Sequence, residues 1–324
     1  MRSAVGTLYG PIELDLAEVE RRLLEAATHQ QPVLRAILED VLLAPGKRVR
    51  PALAVASGRL FHGSPGSLCA LAAAVEYLHT ATLIHDDVVD QADSRRGAPA
   101  LYTVVGNSVA VLVGDYLFAQ AAATASETNN LWIMRLFAEA VMTLCAGQIE
   151  ESSRKGDARW LDRDAYYRTI EAKTAALFVL ACRGGGIIGG APMEAAQALA
   201  RYGRCFGLAF QIVDDILDLV GDEAVMGKPA GSDLRQGVIT LPVIYLRDEI
   251  PESTFRQAFD GGCARDEAIQ AICDRARTSR ALDHSHDEAR SLVEEAVAAL
   301  AGLPPGEHRD LLVEIARSTV ARQG

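Results

Sequence analysis

The 324-residue sequence is short of several things, and each shortage removes a class of function. Its six cysteines (Cys69, Cys145, Cys182, Cys205, Cys263, Cys273) include no C-x-x-C pair, so neither a zinc ribbon nor a thioredoxin-type redox pair is indicated. Several lie in apolar stretches and are expected as reduced, buried small hydrophobes, as in a cytoplasmic protein. Basic charge is outnumbered: 32 Lys and Arg stand against 43 Asp and Glu, a net charge of -11. A nucleic-acid binder is therefore not expected, because a phosphate backbone demands a basic surface. No run of 18 uncharged apolar residues occurs, so no membrane span is expected. Residues 1–14 lack the charged-then-apolar pattern of a signal peptide. Strand-type alternation is scarce as well, which disfavours a sheet protein.

What is present favours helix: Ala, Leu, Glu and Arg dominate, and 49% hydrophobic with 23% charged residues is ordinary globular usage. Apolar spacing (Leu16, Val19, Leu23, Leu24, Ala27) predicts a helix over 14–29. A short helix is bounded by Pro32 and Pro45, and Pro51 suits the first turn of the next. Longer helices are predicted over 67–91, 107–126, 131–153, 162–180 and 193–220, with a polar loop at 94–99 and a Gly/Pro/Asp-bearing loop over 221–237. Three or four shorter helices complete the chain, with Pro304-Pro305 as a turn. Gly184-Gly185-Gly186 is either a break or a place of close helix packing. No linker-like shift in composition appears, so residues 1–324 are expected as one all-α domain.

Two segments echo each other, Asp86-Asp87-Val88-Val89-Asp90 and Asp214-Asp215-Ile216-Leu217-Asp218, each near the end of a long apolar helix. Helical spacing puts Asp86 and Asp90 on one face with Asp87 beside them, and Asp214 and Asp218 likewise with Asp215 adjacent. Three carboxylates within five residues repel one another, and apolar surroundings make the crowding costly without cations. A donor set of oxygen alone points to a hard ion; magnesium shares its sites between carboxylates, water and substrate phosphates. One such cluster is as readily a solvated helix end; two of the same form, both followed by basic residues, favour a diphosphate clamp.

The basic residues stand in suitable places. Arg95 and Arg96 follow the first cluster, and arginine's planar fork matches diphosphate oxygens. Lys47 and Arg50 precede Pro51 near a helix start, where backbone N–H groups favour anions. His79 lies two turns before Asp86 on the same face, and Lys228 follows the second cluster in a Gly-bearing loop. Each alone is more often a surface charge, or for His79 a satisfied core histidine. Their place beside the acid clusters of an acidic chain is what marks them.

Together, Gly46-Lys47-Arg48-Val49-Arg50-Pro51, His79 with the run LIHDDVVDQADSRRG (83–97), Lys173-Thr174-Ala175 and FQIVDDILD (210–218) resemble the trans-isoprenyl diphosphate synthases, or polyprenyl synthetases. The resemblance runs from about 33 to 242 and more weakly to the C-terminus. It implies a single-domain bundle of antiparallel helices around a deep central cavity, generally a homodimer. It implies that Asp86, Asp90 and Asp214 bind magnesium, with Asp87, Asp215 and Asp218 assisting through water or second contacts. It implies that Arg95, Lys173 and Lys228 hold an allylic diphosphate, that Lys47, Arg50, His79 and Arg96 hold isopentenyl diphosphate, and that Thr174 and Gln211 stand beside a developing cation. One departure is Val238, where members often carry lysine before Thr240-Leu241-Pro242; this is more similar to medium-chain members than to short-chain ones.

The implied chemistry is ionisation of an allylic C–O bond, attack by the isopentenyl double bond, and loss of a proton, with no dedicated histidine base required. Product length is expected to follow cavity depth. Bulky residues four and five places before the first aspartate stop growth early in the family; here they are Thr82 and Ala81, which predicts a hexaprenyl to decaprenyl product. Ala121, Ala122, Ala123 and Ala125 are small too, with Phe118 and Trp132 as a candidate floor. The rivals are a short-chain farnesyl or geranylgeranyl synthase, a catalytic subunit that needs a small partner, a terpene cyclase and a non-catalytic partner subunit. The last two are disfavoured by the intact second cluster and by Lys47, Arg50 and Arg96.

Overall fold

A computed structural model describes residues 8–28, 31–95, 97–155, 162–220, 230–259, 262 and 264–321. A 3-10 turn (Gly10–Ile12) leads into α1 (Glu13–Ala27), α2 (Pro32–Leu42), α3 (Val49–Arg59) and α4 (Pro65–Asp90). A ribbon of β1 (Ser94–Arg95) and β2 (Ala98–Pro99) follows, then α5 (Leu101–Val105), α6 (Asn107–Ser126), α7 (Leu131–Arg154) and α8 (Arg163–Ile170). A π-helical turn (Glu171–Ala175) joins α8 to α9 (Ala176–Ile188), and α10 (Met193–Val220) comes next. The remainder is α11 (Ser232–Arg235), α12 (Leu241–Tyr245), α13 (Glu252–Phe259), α14 (Arg265–Thr278), α15 (Ala281–Ala299) and α16 (Glu307–Val320).

Local sequence explains the main boundaries. Pro32 and Pro65 open α2 and α4 at positions where a missing N–H costs nothing. Gln91, in the left-handed conformation at φ 52°, closes α4 directly after Asp90. The expected polar loop at 94–99 is instead an antiparallel ribbon with Ser94 opposite Pro99 and Arg95 opposite Ala98. The expected continuous helix over 162–180 is capped by Asp162, whose carboxylate accepts the Asp164 N–H at 3.0 Å. Its ladder then widens into the π turn over Glu171-Ala172-Lys173-Thr174-Ala175. Such turns recur at functional sites, and this one carries Lys173 and Thr174.

The chain divides into two compact units: Met1–Val141 with Leu177–Gly203 and Val297–Ile315, and Met142–Ala176 with Arg204–Ala296 and Ala316–Gly324. All five changes of unit fall inside helices, namely α7, α9, α10, α15 and α16. In the first unit α4 packs on α1, α3 and α6 and is buried over most of its length. The glycine run at 184–186 is a close-packing site within α9: a Cβ at Gly185 would stand 2.2 Å from the Ala54 carbonyl oxygen of α3. The second unit holds one apolar cluster around Leu219, Val243, Phe255, Ile269 and Ile272, and another around Tyr166, Ile170, Leu208, Ile212 and Ile216. There α8 is fastened to α15, because Arg163 and Tyr167 both donate to Glu288, as does Tyr245 from α12.

Two expectations need correction. Cys69, Cys182, Cys205 and Cys273 are buried and in no disulfide, but Cys145 is exposed; Cys263 lies outside the described residues. Burial pushes the Cys182 thiol up to about 12. Three helices, α4, α6 and α7, are also long and apolar enough to cross a membrane, since an isolated charge within such a helix defeats a search for wholly uncharged runs. The apolar window of α4 is 78% buried in protein, which makes α4 a core helix, whereas those of α6 and α7 are 39% and 28% buried and leave apolar surface exposed.

Gly185→Ala tests the close approach. Alanine ordinarily strengthens a helix relative to glycine. Here the added methyl should cost about 1–3 kcal/mol by overpacking, read as a lowered thermal midpoint; a raised midpoint would contradict the packing.

Candidate active site

In the first unit, the basic loop before α3 is fixed by one arginine. Arg48 caps α3 in the left-handed conformation at φ 46°, which a side chain with a Cβ adopts only when held there. Its guanidinium donates to Glu76 Oε1 at 2.7 Å, to Glu20 Oε1 at 2.7 Å and to the Leu42 carbonyl at 2.9 Å. Glu76 is buried on α4, one turn before His79. Two residues after Arg48, Arg50 Nη1 lies 3.1 Å from His79 Nε2, and its guanidinium stacks 4.5 Å over the Phe178 ring. Arginine has no acceptor, so His79 must accept at Nε2. Arg50 and His79, both picked out for isopentenyl diphosphate, are thus brought together, while Lys47 is exposed on the same loop.

The first aspartate cluster splits into two kinds of carboxylate. Asp86 and Asp90 are half-buried at the end of α4. Asp87 is 4% exposed and accepts from Arg95 Nε at 2.7 Å and Nη2 at 2.6 Å. Burial pushes the Asp87 carboxyl above the usual range, with Arg95 pulling against it. The ribbon exists in the right place for this pair: β1 returns Arg95 over the last turn of α4. His85 is seated on α6, with Nε2 3.0 Å from the Val111 carbonyl and its ring 5.3 Å from that of Phe118.

In the second unit the division is sharper. Asp214 is half-buried, whereas Asp215 and Asp218 are 2% and 4% exposed. Asp215 accepts from the Tyr166 hydroxyl at 2.6 Å and from Gln211 Nε2 at 2.8 Å. Gln211 in turn accepts from the Thr174 hydroxyl at 2.6 Å. Burial, reinforced by the charge of Asp233, raises the Asp215 carboxyl well above the usual range. Asp218 accepts the Asp233 N–H at 3.0 Å, and its carbonyl accepts that of Gly231 at 2.8 Å, so it secures the end of the loop that follows α10. Lys173, in the π turn, donates to Glu151 of α7. That reach depends on Gly147, where a Cβ would meet Ala172 Cβ at 2.7 Å.

Sequence reasoning named these aspartates but missed the groups that hold them: Tyr166, Glu151, Glu76, Phe178 and the anchoring use of Arg48. None bears a spacing that marks it; only the buried polar requirement of a neighbour identifies them. Trp132 is corrected as a cavity floor, since it is 63% exposed. Ala123 is exposed, while Ala81, Ala121 and Ala125 are fully buried. Arg96 and Lys228 lie outside the described residues. Among the described residues no three His, Cys, Asp or Glu side chains already form a metal-holding group.

Comparison with known proteins agrees with the motifs. The model of the polyprenyl synthetase family matches residues 31–275. Heptaprenyl diphosphate synthase component 2 of Geobacillus stearothermophilus is 35% identical over 313 residues, covering 95% of this chain and 96% of that protein. A short chain isoprenyl diphosphate synthase of Methanothermobacter thermautotrophicus is 34% identical over 313 residues, covering 94% and 95%. The crystal structure of a polyprenyl synthase from Caulobacter crescentus, complexed with calcium and isoprenyl diphosphate, superposes with a TM-score of 0.93 at 35% identity, covering 100% of this chain and 99% of that one. What the matches do establish, over nearly the full length and in fold as well as sequence, is that the chain belongs to the polyprenyl synthetase family of prenyltransferases.

Proposed function

We propose that this polyprenyl synthetase adds isopentenyl diphosphate repeatedly to an allylic diphosphate, using magnesium, and releases a medium or long all-trans polyprenyl diphosphate. The observation that carries the site assignment is the sorting of six aspartates by exposure. Asp86, Asp90 and Asp214 keep access to solvent, while Asp87, Asp215 and Asp218 are buried against Arg95, Tyr166 with Gln211, and the Asp233 backbone. The accessible three offer oxygen alone and are the residues we assign to the metal. When bound, magnesium supplies charge that stabilises the leaving diphosphate.

The remaining work falls to the chain's own side chains. Arg95 and Lys173 would bind the allylic diphosphate, Lys173 exchanging Glu151 for phosphate oxygen. Arg50 would bind isopentenyl diphosphate together with Lys47 and His79. Phe178 and His79 hold the Arg50 guanidinium before substrate arrives, which lowers the ordering cost of binding. Thr174 and Gln211 would stand beside the cation, and the departing diphosphate would take the proton. Ala81, fully buried, and Thr82, whose hydroxyl is turned back to the His79 carbonyl at 2.8 Å, put little bulk ahead of the first cluster. That supports a hexaprenyl to decaprenyl product.

A second copy of the chain is part of the proposal. Leu112 of α6 and Leu131 and Trp132 of α7 are 66%, 84% and 63% exposed, apolar surface of the kind an interface covers. The likeness to a protein designated component 2 favours one further reading, that a separate subunit is required for activity.

Incubation of the purified protein with labelled isopentenyl diphosphate, several allylic primers and magnesium should yield products longer than geranylgeranyl on chromatography after dephosphorylation. Geranylgeraniol or shorter would overturn the length assignment, and inactivity restored by a second protein would select the two-component reading. Chelation of magnesium should abolish turnover and weaken allylic diphosphate binding in calorimetry. Arg50→Met should raise KM for isopentenyl diphosphate roughly 10- to 100-fold, the worth of a charged hydrogen bond, and leave the allylic KM nearly unchanged. Ala81→Phe should shorten the product; an unaltered product profile would remove Ala81 from the tunnel wall.

A further inference from the structure

The Tyr166 hydroxyl is buried, and the reaction outlined above makes no use of it. It stands at one end of a chain of three hydrogen bonds in the second unit: Tyr166 to Asp215 at 2.6 Å, Gln211 to Asp215 at 2.8 Å, and Thr174 to Gln211 at 2.6 Å. The directions of these bonds are fixed by chemistry. The two Asp215 oxygens are shared between Tyr166 and Gln211, one each. With Asp215 ionised, the Gln211 amide has one orientation: reversed, it would set its oxygen against a carboxylate oxygen. Thr174, having given its proton to Gln211, has only lone pairs left to offer. Gln211 and Thr174 both donate toward the carboxylate, so its charge makes the Gln211 oxygen and then the Thr174 oxygen better acceptors.

The surroundings keep this chain in place. The Tyr166 ring lies in the apolar cluster with Ile170, Ala175, Leu208, Ile212 and Ile216. Its helix α8 is held to Glu288 by the neighbouring Arg163 and Tyr167. Thr174 belongs to the π turn, where regular helical spacing no longer sets the direction of a side chain.

We propose that Tyr166 is a positioning residue for allylic ionisation: by holding Asp215 it fixes the Gln211 amide, and through it keeps the Thr174 hydroxyl an acceptor toward positive charge. The inference rests on the reading above that Thr174 and Gln211 stand beside the developing cation. It adds that the group which sets their polarity is a tyrosine two helical turns before Thr174.

A double-mutant cycle tests it. Tyr166→Phe removes one oxygen and keeps the ring. Alone it should lower kcat roughly tenfold, as loss of positioning does, with KM for both diphosphates changed less than about twofold. In a Thr174→Val background, where the relay has no terminus, the same substitution should lower kcat by less than about twofold. An equal factor in both backgrounds, or a lowered thermal midpoint with kcat intact, would make Tyr166 a structural residue only and overturn the proposal. If Tyr166→Phe does not fold, Asp215→Asn takes its place, since asparagine offers one oxygen where two donors need one each; additive effects with Thr174→Val would again overturn it. Failure of the wild-type protein to elongate any primer would instead sink the reading on which the inference rests.

Discussion

Electrostatic crowding governs how both aspartate motifs are built. Each aspartate motif puts three carboxylates into five residues of an apolar helix, an arrangement that a folded protein tolerates only with compensation. The compensation is local and asymmetric. In the first motif Asp87 is drawn inward by Arg95 from the ribbon. In the second, Asp215 is drawn inward by Tyr166 and Gln211, and Asp218 by the backbone at 233. The protein thereby holds the inner carboxylates with its own donors and leaves the outer ones accessible to solvent.

The basic side follows the same logic. An arginine in a left-handed cap is a conformational expense, and Arg48 repays it by tying three groups together: Glu20, Glu76 and the end of α2. The result is a fixed loop from which Arg50 reaches the Phe178 face and His79. Two arginines separated by one residue thus do different things, one tethering the loop and the other held between Phe178 and His79. Glu151 and Lys173 form a third arrangement, a half-buried ion pair between α7 and the π turn.

Much of this was legible in the sequence, for physical reasons that can be named. Helices at 107–126 and 193–220 coincide with α6 and α10 because their apolar period and flanking breakers are strong. The aspartate motifs were legible because like charges at helical spacing in apolar surroundings are costly and so carry information. The widened turn at 171–175 was not legible, since its composition is that of an ordinary helix and the extra residue per turn leaves no local mark. Tyr166 was missed for a related reason. It reads as an aromatic in an amphipathic helix, and its hydroxyl acquires meaning only when Asp215, 49 residues onward, is found against it. Trp132 failed in the opposite direction: a large aromatic after an alanine-rich helix reads as a floor, but it lies at the surface.

The passage of the chain between its two units has a practical corollary. Every crossing runs through the body of a helix, and neither unit is a continuous stretch of polypeptide. No loop therefore offers a clean seam for excising one half, splitting the gene into complementing fragments, or grafting one unit onto a relative. Recombination at any crossing would sever a hydrogen-bonded ladder, so new variants of this protein are more readily obtained by substitution than by shuffling blocks.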